Sequence, residues 1–159
     1  TRCGNVDAGV VTYIQDKENL DFKGINAVLN KQSGFLGVSG VSSDARDIEG
    51  AAAEGNKRAA LAMDMFKYSV LKYIGAYSAV MNGVDMIVFT GGIGENDPSV
   101  REYIAKGCSY LGVDFNPAAN DGLRGKDAIL TNEGSKVVVA AITTNEELVI
   151  ARDTMRLAK

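Results

Sequence analysis

The sequence predicts an α/β fold in which two or three strands lie among five or six helices. Apolar residues recur at helical spacing over residues 56–81, which predicts a long helix. Apolar runs at residues 85–90 and 136–142 are typical of buried strands. A length of 159 residues, with 46% hydrophobic and 23% charged side chains, suits one globular domain of ordinary composition.

Short helices are predicted in the first third of the chain, over residues 7–16 and 22–30. Ser43 or Asp44 is placed to cap a further helix that ends near Ala53. Residues 34–43 contain three glycines and three serines, which predicts an irregular loop or a short extended segment.

One long central helix is predicted from Asn56 to Met81. Apolar side chains also lie elsewhere on its circumference, so we expect packing on more than one side, in the core and against another domain or a second subunit. The apolar residues that share its main face are Met63, Phe66, Val70, Ile74, Tyr77 and Met81.

Strands and helices alternate in the second half. The strand at residues 85–90 leads into a glycine-rich turn at residues 91–96. Asp97 as cap, with Pro98 at the first helical position, then predicts a helix to about Leu111. Strands are also expected at residues 128–131 and 136–142, before a last helix that begins near Asn145.

Composition excludes several classes of protein. The chain has no histidine, which excludes Ser-His-Asp and Cys-His catalytic units and imidazole metal ligands. A net charge of −3 gives no basic surface for nucleic acid. Asn82-Gly83 interrupts the apolar stretch at residues 74–94, which favours helix, turn and strand over a membrane span. Cys3 and Cys108 form no CxxC pair, and two sparse cysteines are typical of a reducing compartment.

The turn at residues 91–96 is the first candidate site. Glycines let a backbone approach a ligand closely, and the end of a strand in an α/β sheet is a common binding position. The turn lacks the Gly-Lys-Ser/Thr of a phosphate loop, and the acidic Glu95 and Asp97 would repel a phosphate. This pattern fits the base or ribose of a nucleotide, and it fits a purely structural turn equally well.

Three other places carry weaker signals. In residues 143–147, either Asn or Thr caps the last helix and the two acids complement its dipole, or a carboxylate binds Mg²⁺, which takes few protein carboxylates. Residues 43–47 combine acids with an arginine beside a Gly/Ser loop, which also suits the start of a surface helix. Arg2 alone indicates little.

Four motifs in order, however, closely resemble the C-terminal part of the acetate kinases, in the acetate/butyrate kinase family. They are T-R-C-G-N-V-D, S-G-x-S-S-D-x-R-D, V-F-T-G-G-I-G-E-N and T-N-E-E-x-x-I-A-R-D-T, and the resemblance runs in order over essentially the whole chain. The resemblance implies the C-terminal half of an actin/hexokinase-like (ribonuclease H-like) kinase: a small mixed sheet and several helices, including one long central helix. Residues 1–159 would then be a single nucleotide-binding domain, with the N-terminal domain absent from the chain.

The resemblance also implies roles for particular residues. Arg2 matches the arginine that stabilises charge on the phosphoryl group in transfer, and Glu146 matches the glutamate assigned to Mg²⁺. The segment lying along the nucleotide corresponds to Asp44, Ala45 and Arg46. The turn that holds adenine and ribose corresponds to Gly92, Ile93, Gly94, Glu95 and Asn96.

The implied activity is phosphoryl transfer from ATP to acetate, giving acetyl phosphate and ADP, by a cytoplasmic homodimer with Mg²⁺. A catalytic aspartate and a transition-state histidine would come from the absent domain, so we expect this chain alone to be inactive. Two alternatives stay open: a propionate or butyrate kinase of the same family, and a non-catalytic dimerisation or binding module.

Overall fold

The computed structural model describes residues 1–158, and the chain divides into two compact units, Thr1–Phe66 and Lys67–Lys159. The first unit is helical. It contains α1 (Ala8–Lys17), α2 (Phe22–Lys31), α3 (Gly34–Ser39), α4 (Ala45–Ala53) and the start of α5 (Lys57–Val80).

Aspartate side chains begin three of these helices. Asp7, Asp21 and Asp44 accept hydrogen bonds from backbone N–H groups in the first turns of α1, α2 and α4, at 2.7–2.9 Å. These bonds satisfy N–H groups that have no partner within the helix. The three predicted helices are therefore confirmed, and for α4 the cap is Asp44.

The predicted irregular loop at residues 34–43 is wrong in its first part, because α3 forms there. Gly40 ends the helix in the left-handed conformation, with φ of 69°. The side chain of Arg58 donates to the carbonyl oxygens of Val38 (2.8 Å) and Gly37 (3.3 Å) at this end. A cation placed on the last carbonyls from twenty residues away stabilises a helix that the local pattern does not indicate.

The long helix α5 is confirmed, but its predicted burial holds only near its start. Ala59, Ala62 and Met63 are buried, whereas Tyr77 and Met81 are about 60% exposed. Several further apolar side chains of α5 are exposed, namely Leu61, Met65, Tyr68, Tyr73 and Val80.

The second unit contains the small mixed sheet expected from the sequence. Its strands are β1 (Met86–Phe89), β2 (Ala128–Ile129) and β3 (Val138–Ala141), in the spatial order β1-β3-β2. The β1 strand runs parallel to β3, and β2 runs antiparallel to β3. The fold class predicted from the sequence is confirmed.

Helices surround this sheet. They are α6 (Gly91–Asn96), α7 (Pro98–Gly107), α8 (Pro117–Asn120) and α9 (Glu146–Leu157), with a short 3₁₀ helix at Ser109–Leu111. Asp97 caps α7 as predicted, accepting from the N–H of Val100 at 3.0 Å, but α7 ends before the expected Leu111. Its last residue, Gly107, lies where a Cβ would come within 2.7 Å of Leu71, so close packing requires glycine there. None of the helices within residues 1–158 is long and apolar enough to cross a membrane.

A buried cation organises the second unit. The guanidinium of Arg101, on α7, is fully buried. It donates to Asn120 Oδ1 (2.8 Å), to the carbonyl oxygen of Gly94 (2.8 Å) and to that of Leu123 (2.6 Å). Burial lowers the pKa of Arg101, and the charge of nearby Asp97 opposes that shift. One side chain thus holds α6, α8 and the following loop to α7.

Replacing this cation should destabilise the chain strongly. We expect Arg101→Met to lower the free energy of unfolding by about 3 kcal/mol or more, because one buried and two partly buried acceptors lose their donor. Urea denaturation followed by circular dichroism measures the change. The control is Arg156→Met, which removes an exposed ion pair with Asp153 and should cost less than about 0.5 kcal/mol. Equal losses in the two variants would contradict this role for Arg101.

Candidate functional site

A cleft of about 440 Å³ lies in the second unit. It is formed where the parallel strands β1 and β3 end, because α6 follows β1 and the loop to α9 follows β3. This is the position at which α/β sheets commonly bind ligands. The residues that line it are Gly91, Gly92, Glu95, Thr144, Asn145, Glu146 and Glu147.

The structure brings together three of the predicted site residues. Gly92 and Glu95, on α6, line the cleft together with Glu146, the first residue of α9. Ile93, Gly94 and Asn96 belong to the same short helix, but are not among the lining residues.

The predicted open turn at residues 91–96 is wrong, because the segment forms the helix α6. Local polar groups support it. The amide of Asn96 donates to the carbonyl oxygen of Gly92 at 3.0 Å, and the N–H of Gly91 donates to Glu95 Oε1 at 2.9 Å. Outside α6, the N–H of Gly125 donates to the carbonyl oxygen of Glu95 (3.1 Å), and Arg124 donates to that of Asn96.

Glu95 joins the two sides of the cleft. Its Oε1 atom accepts from the N–H of Thr144 (2.9 Å) and from the hydroxyl of Thr144 (2.8 Å), as well as from Gly91. The hydroxyl of Thr90 is a more distant donor at 3.5 Å. The two bonds from Thr144, and then that from Gly91, stabilise the ionised carboxylate and lower the pKa of Glu95.

A second carboxylate holds the preceding residue in the same manner. Asp127 Oδ1 accepts from the N–H of Thr143 at 2.7 Å and from its hydroxyl at 2.8 Å. These bonds lower the pKa of Asp127. The start of the loop between β3 and α9 is therefore fixed by two carboxylates from different parts of the unit. Asp127 does not line the cleft, and no local signal in the sequence indicates its role.

Two glycines of α6 differ in what surrounds them. A Cβ at Gly94 would lie 3.1 Å from the backbone carbon of Phe89, so the packing of α6 against β1 leaves little room for one. A Cβ at Gly92 would meet nothing within 4 Å. The chain's own packing thus constrains Gly94, whereas the space beside Gly92 is available to a ligand.

Glu146 has the chemistry of a magnesium ligand. Asn145 caps α9 by accepting from the N–H of Leu148 at 2.9 Å, and Glu146 and Glu147 follow in the first turn, both exposed. Within residues 1–158 no group of three or more His, Cys, Asp or Glu side chains forms a metal cage. Mg²⁺ commonly binds through one or two carboxylates together with substrate phosphates and waters, so this donor set fits it.

Arg2 belongs to the first unit and is exposed. Its neighbours are fixed by backbone bonds: the N–H of Cys3 donates to Leu29 (2.8 Å), and the N–H of Ser33 donates to Thr1 (3.0 Å). Gly34, with φ of +61°, lies where a Cβ would come within 2.8 Å of the Arg2 carbonyl oxygen. The backbone at Arg2 is therefore anchored to the end of α2.

Asp44 and Arg46, also in the first unit, form a bidentate pair. Arg46 donates from Nε to Asp44 Oδ1 (3.1 Å) and from Nη2 to Asp44 Oδ2 (2.6 Å). These side-chain bonds, with the cap bond from the Arg46 N–H, lower the pKa of Asp44 to about 2. Ala45, half-buried, is the first residue of α4. A guanidinium that forks a carboxylate has the geometry to fork a phosphate.

Comparison with known proteins gives consistent matches. The sequence profile of the Acetokinase family matches residues 1–152. The chain is 52% identical over its whole length to the acetate kinase of Halothermothrix orenii, of which it covers 40%. The crystal structure of Porphyromonas gingivalis acetate kinase superposes with a TM-score of 0.92 at 49% identity, over 100% of this chain and 40% of that one.

A solved propionate kinase is also similar. The enzyme from Francisella tularensis superposes with a TM-score of 0.85 at 35% identity, over 96% of this chain and 38% of that one. The chain thus spans about 40% of the length of the relatives it matches.

The two glycines of α6 give a matched pair of substitutions. Gly94→Ala should lower the free energy of unfolding by about 1–3 kcal/mol, because its Cβ presses on the backbone of Phe89. Gly92→Ala should leave stability unchanged or raise it by up to about 1 kcal/mol, since alanine favours a helix. Urea unfolding of both variants tests this, and an equal loss at the two positions would contradict the assignment.

The carboxylates that hold Thr143 and Thr144 should make the fold sensitive to acid. The pKa values of Glu95 and Asp127 are lower in the folded chain than their ordinary values of 4.5 and 3.8. Their stabilisation is therefore complete above those values and is lost as the pH falls through the lower, folded pKa values.

We expect Glu95→Gln to weaken this dependence. Between about pH 6 and pH 3 the urea midpoint of the wild-type chain should fall more steeply than that of the variant, because glutamine does not titrate. Glu133→Gln, an exposed change outside the cleft, is the control and should behave as the wild type does. Parallel curves for the wild type and Glu95→Gln would contradict the prediction.

Proposed function

The chain belongs to the acetokinase family, and on that premise we propose that residues 1–159 form the C-terminal, nucleotide-side part of an acetate kinase. The parent enzyme would transfer a phosphoryl group between ATP and acetate, giving acetyl phosphate and ADP. The observation that carries the proposal is the cleft in which the open space beside Gly92 faces the same cavity as the carboxylate of Glu146.

Roles within the cleft follow from its chemistry. The α6 helix would hold adenine and ribose beside Gly92, where no side chain occupies the space. Glu146 would hold Mg²⁺, which when bound neutralises charge on the phosphate oxygens. Phosphoryl transfer depends mainly on positioning and charge stabilisation. These residues would therefore contribute by holding the nucleotide and Mg²⁺ in a fixed geometry.

Residues of the first unit have roles that we assign by family resemblance. Arg2 would stabilise charge on the phosphoryl group in transfer, which suits an exposed guanidinium on an anchored backbone. Asp44, Ala45 and Arg46 would lie along the nucleotide. Arg46 would exchange its bonds to Asp44 for bonds to a phosphate, a change between two bidentate partners.

Two carboxylic acids are candidates for the phosphoryl acceptor of the parent enzyme. Acetate is favoured by curated relatives named acetate kinase at 49–55% identity. A propionate kinase with the same fold at 35% identity makes a longer carboxylate the alternative.

The chain alone should bind ADP weakly and should not turn over ATP. Half of a ligand shell provides little positioning, and the family's transition-state histidine has no counterpart in these residues, which contain no histidine. Isothermal titration with ADP, in Mg²⁺ and in EDTA, measures binding, and a coupled assay measures acetate-dependent ATP consumption. Turnover by the purified chain would contradict this proposal.

Glu146→Gln should remove most of the effect of Mg²⁺. We expect ADP affinity in Mg²⁺ to fall about tenfold, the equivalent of one charge-assisted contact, and affinity in EDTA to stay unchanged. Glu133→Gln provides the matched control, because it removes an exposed carboxylate elsewhere in the unit. An equal loss in Mg²⁺ and EDTA would show that Glu146 does not hold the metal.

The exposed apolar side chains of α5 favour a second candidate function, a dimerisation module. Tyr77, Val80 and Met81 are all at least 60% exposed, and burial of such groups would stabilise a homodimer. Sedimentation with and without ADP separates the two functions. A dimer that is indifferent to nucleotide would favour the module over the kinase.

A further inference from the structure

We propose that Glu95 is a positioning residue that couples α6 to the loop presenting Glu146, and that its Oε1 atom serves this link and not the nucleotide. This inference rests on the proposed function, because it assigns how the nucleotide cleft keeps its geometry. It gives Glu95 a structural task in addition to the ligand contact that resemblance implies.

The bonds of Glu95 Oε1 leave that atom no capacity for a ligand. The N–H groups of Gly91 and Thr144 and the hydroxyl of Thr144 all donate to it at 2.8–2.9 Å. A carboxylate oxygen has about two lone-pair sites, so three close donors saturate it. A ribose hydroxyl that bound this atom would have to displace a bond that holds the cleft together.

The same bonds fix the residue from which α9 begins. Thr144 precedes Asn145, whose side chain caps the helix, and then Glu146. Every residue from 142 to 158 is exposed, so packing within the described chain contributes little to the placement of α9. The position of the Glu146 carboxylate therefore depends most directly on the bonds at Thr144.

The Asp127–Thr143 pair provides an internal comparison. It uses the same two donors from a threonine and one carboxylate oxygen. It joins the residue before β2 to the loop after β3, and neither Asp127 nor Thr143 lines the cleft. Among the side-chain hydrogen bonds of residues 1–158, those between Glu95 and Thr144 connect the α6 side of the cleft with the α9 side.

A double-mutant cycle on ADP affinity tests the coupling. We expect Glu95→Ala and Thr144→Val each to weaken ADP binding in Mg²⁺ about tenfold, as the loss of a supporting residue does. The double variant should lose little more than Glu95→Ala alone, because both changes break the same link. Thr144→Ser keeps both the N–H donor and the hydroxyl donor and should bind ADP with the affinity of the wild-type chain.

Two controls keep the cycle interpretable. Amide hydrogen exchange of the nucleotide-free chain should show faster exchange at Thr144 in Glu95→Ala, while far-UV circular dichroism shows that the fold persists. If Glu95→Ala fails to fold, Glu95→Gln replaces it in the cycle. Asp127→Asn with Thr143→Val forms the comparison cycle, which should couple in urea stability and leave ADP affinity within about twofold.

The outcomes separate the inference from the proposed function. If the wild-type chain binds ADP and the two losses add to about a hundredfold in the double variant, Glu95 and Thr144 act independently and the positioning role is overturned. A loss of ADP affinity in Thr144→Ser would also overturn the positioning role. Absence of ADP binding by the wild-type chain would contradict the proposed function, and with it the inference.

Discussion

The second unit depends on a single buried positive charge. A guanidinium withdrawn from water is stable only when hydrogen bonds replace its hydration, and Arg101 obtains them from Gly94, Asn120 and Leu123. Those acceptors belong to three separate segments. The requirement to satisfy one cation therefore fixes α6 relative to α7 and orders the loop that contacts the backbone of Glu95. The position of α6, which lines one side of the cleft, is a consequence of that requirement.

At the surface, carboxylates link separate segments by hydrogen bonds, as the buried Arg101 does in the interior. Glu95 and Asp127 each use one oxygen to accept an N–H and a hydroxyl from a single threonine. Such bonds are stronger than neutral ones and define direction as well as distance. A loop of polar residues is in this way held in one conformation with little hydrophobic burial. The cleft therefore combines α6, which Arg101 holds in place, with a loop whose conformation depends on the charges of Glu95 and Asp127.

Much of this was accessible from sequence because local signals determine it. Aspartate caps and helical periodicity give α4, α5 and the start of α7, and three residues implied by resemblance, Gly92, Glu95 and Glu146, line the cleft. Other features depend on distant residues. The α3 helix depends on Arg58, and the bonds of Glu95 reach Thr144, forty-nine residues away. Bonds between distant positions leave no trace in a local pattern, and the same holds for Arg101 and Asp127.

The exposure of α9 has a consequence for the energetics of ligand binding. A helix of 12 residues is near the limit at which hydrogen bonds alone offset the loss of backbone entropy. Without packing to support it, α9 belongs to the least stable part of the chain and should unwind and reform independently of the sheet. A ligand held by its first turn must supply the free energy that orders it. Part of the intrinsic binding free energy of the ligand is thus used to order the helix. Any surface that packs on α9 would order it in advance and would therefore raise the observed affinity for the ligand.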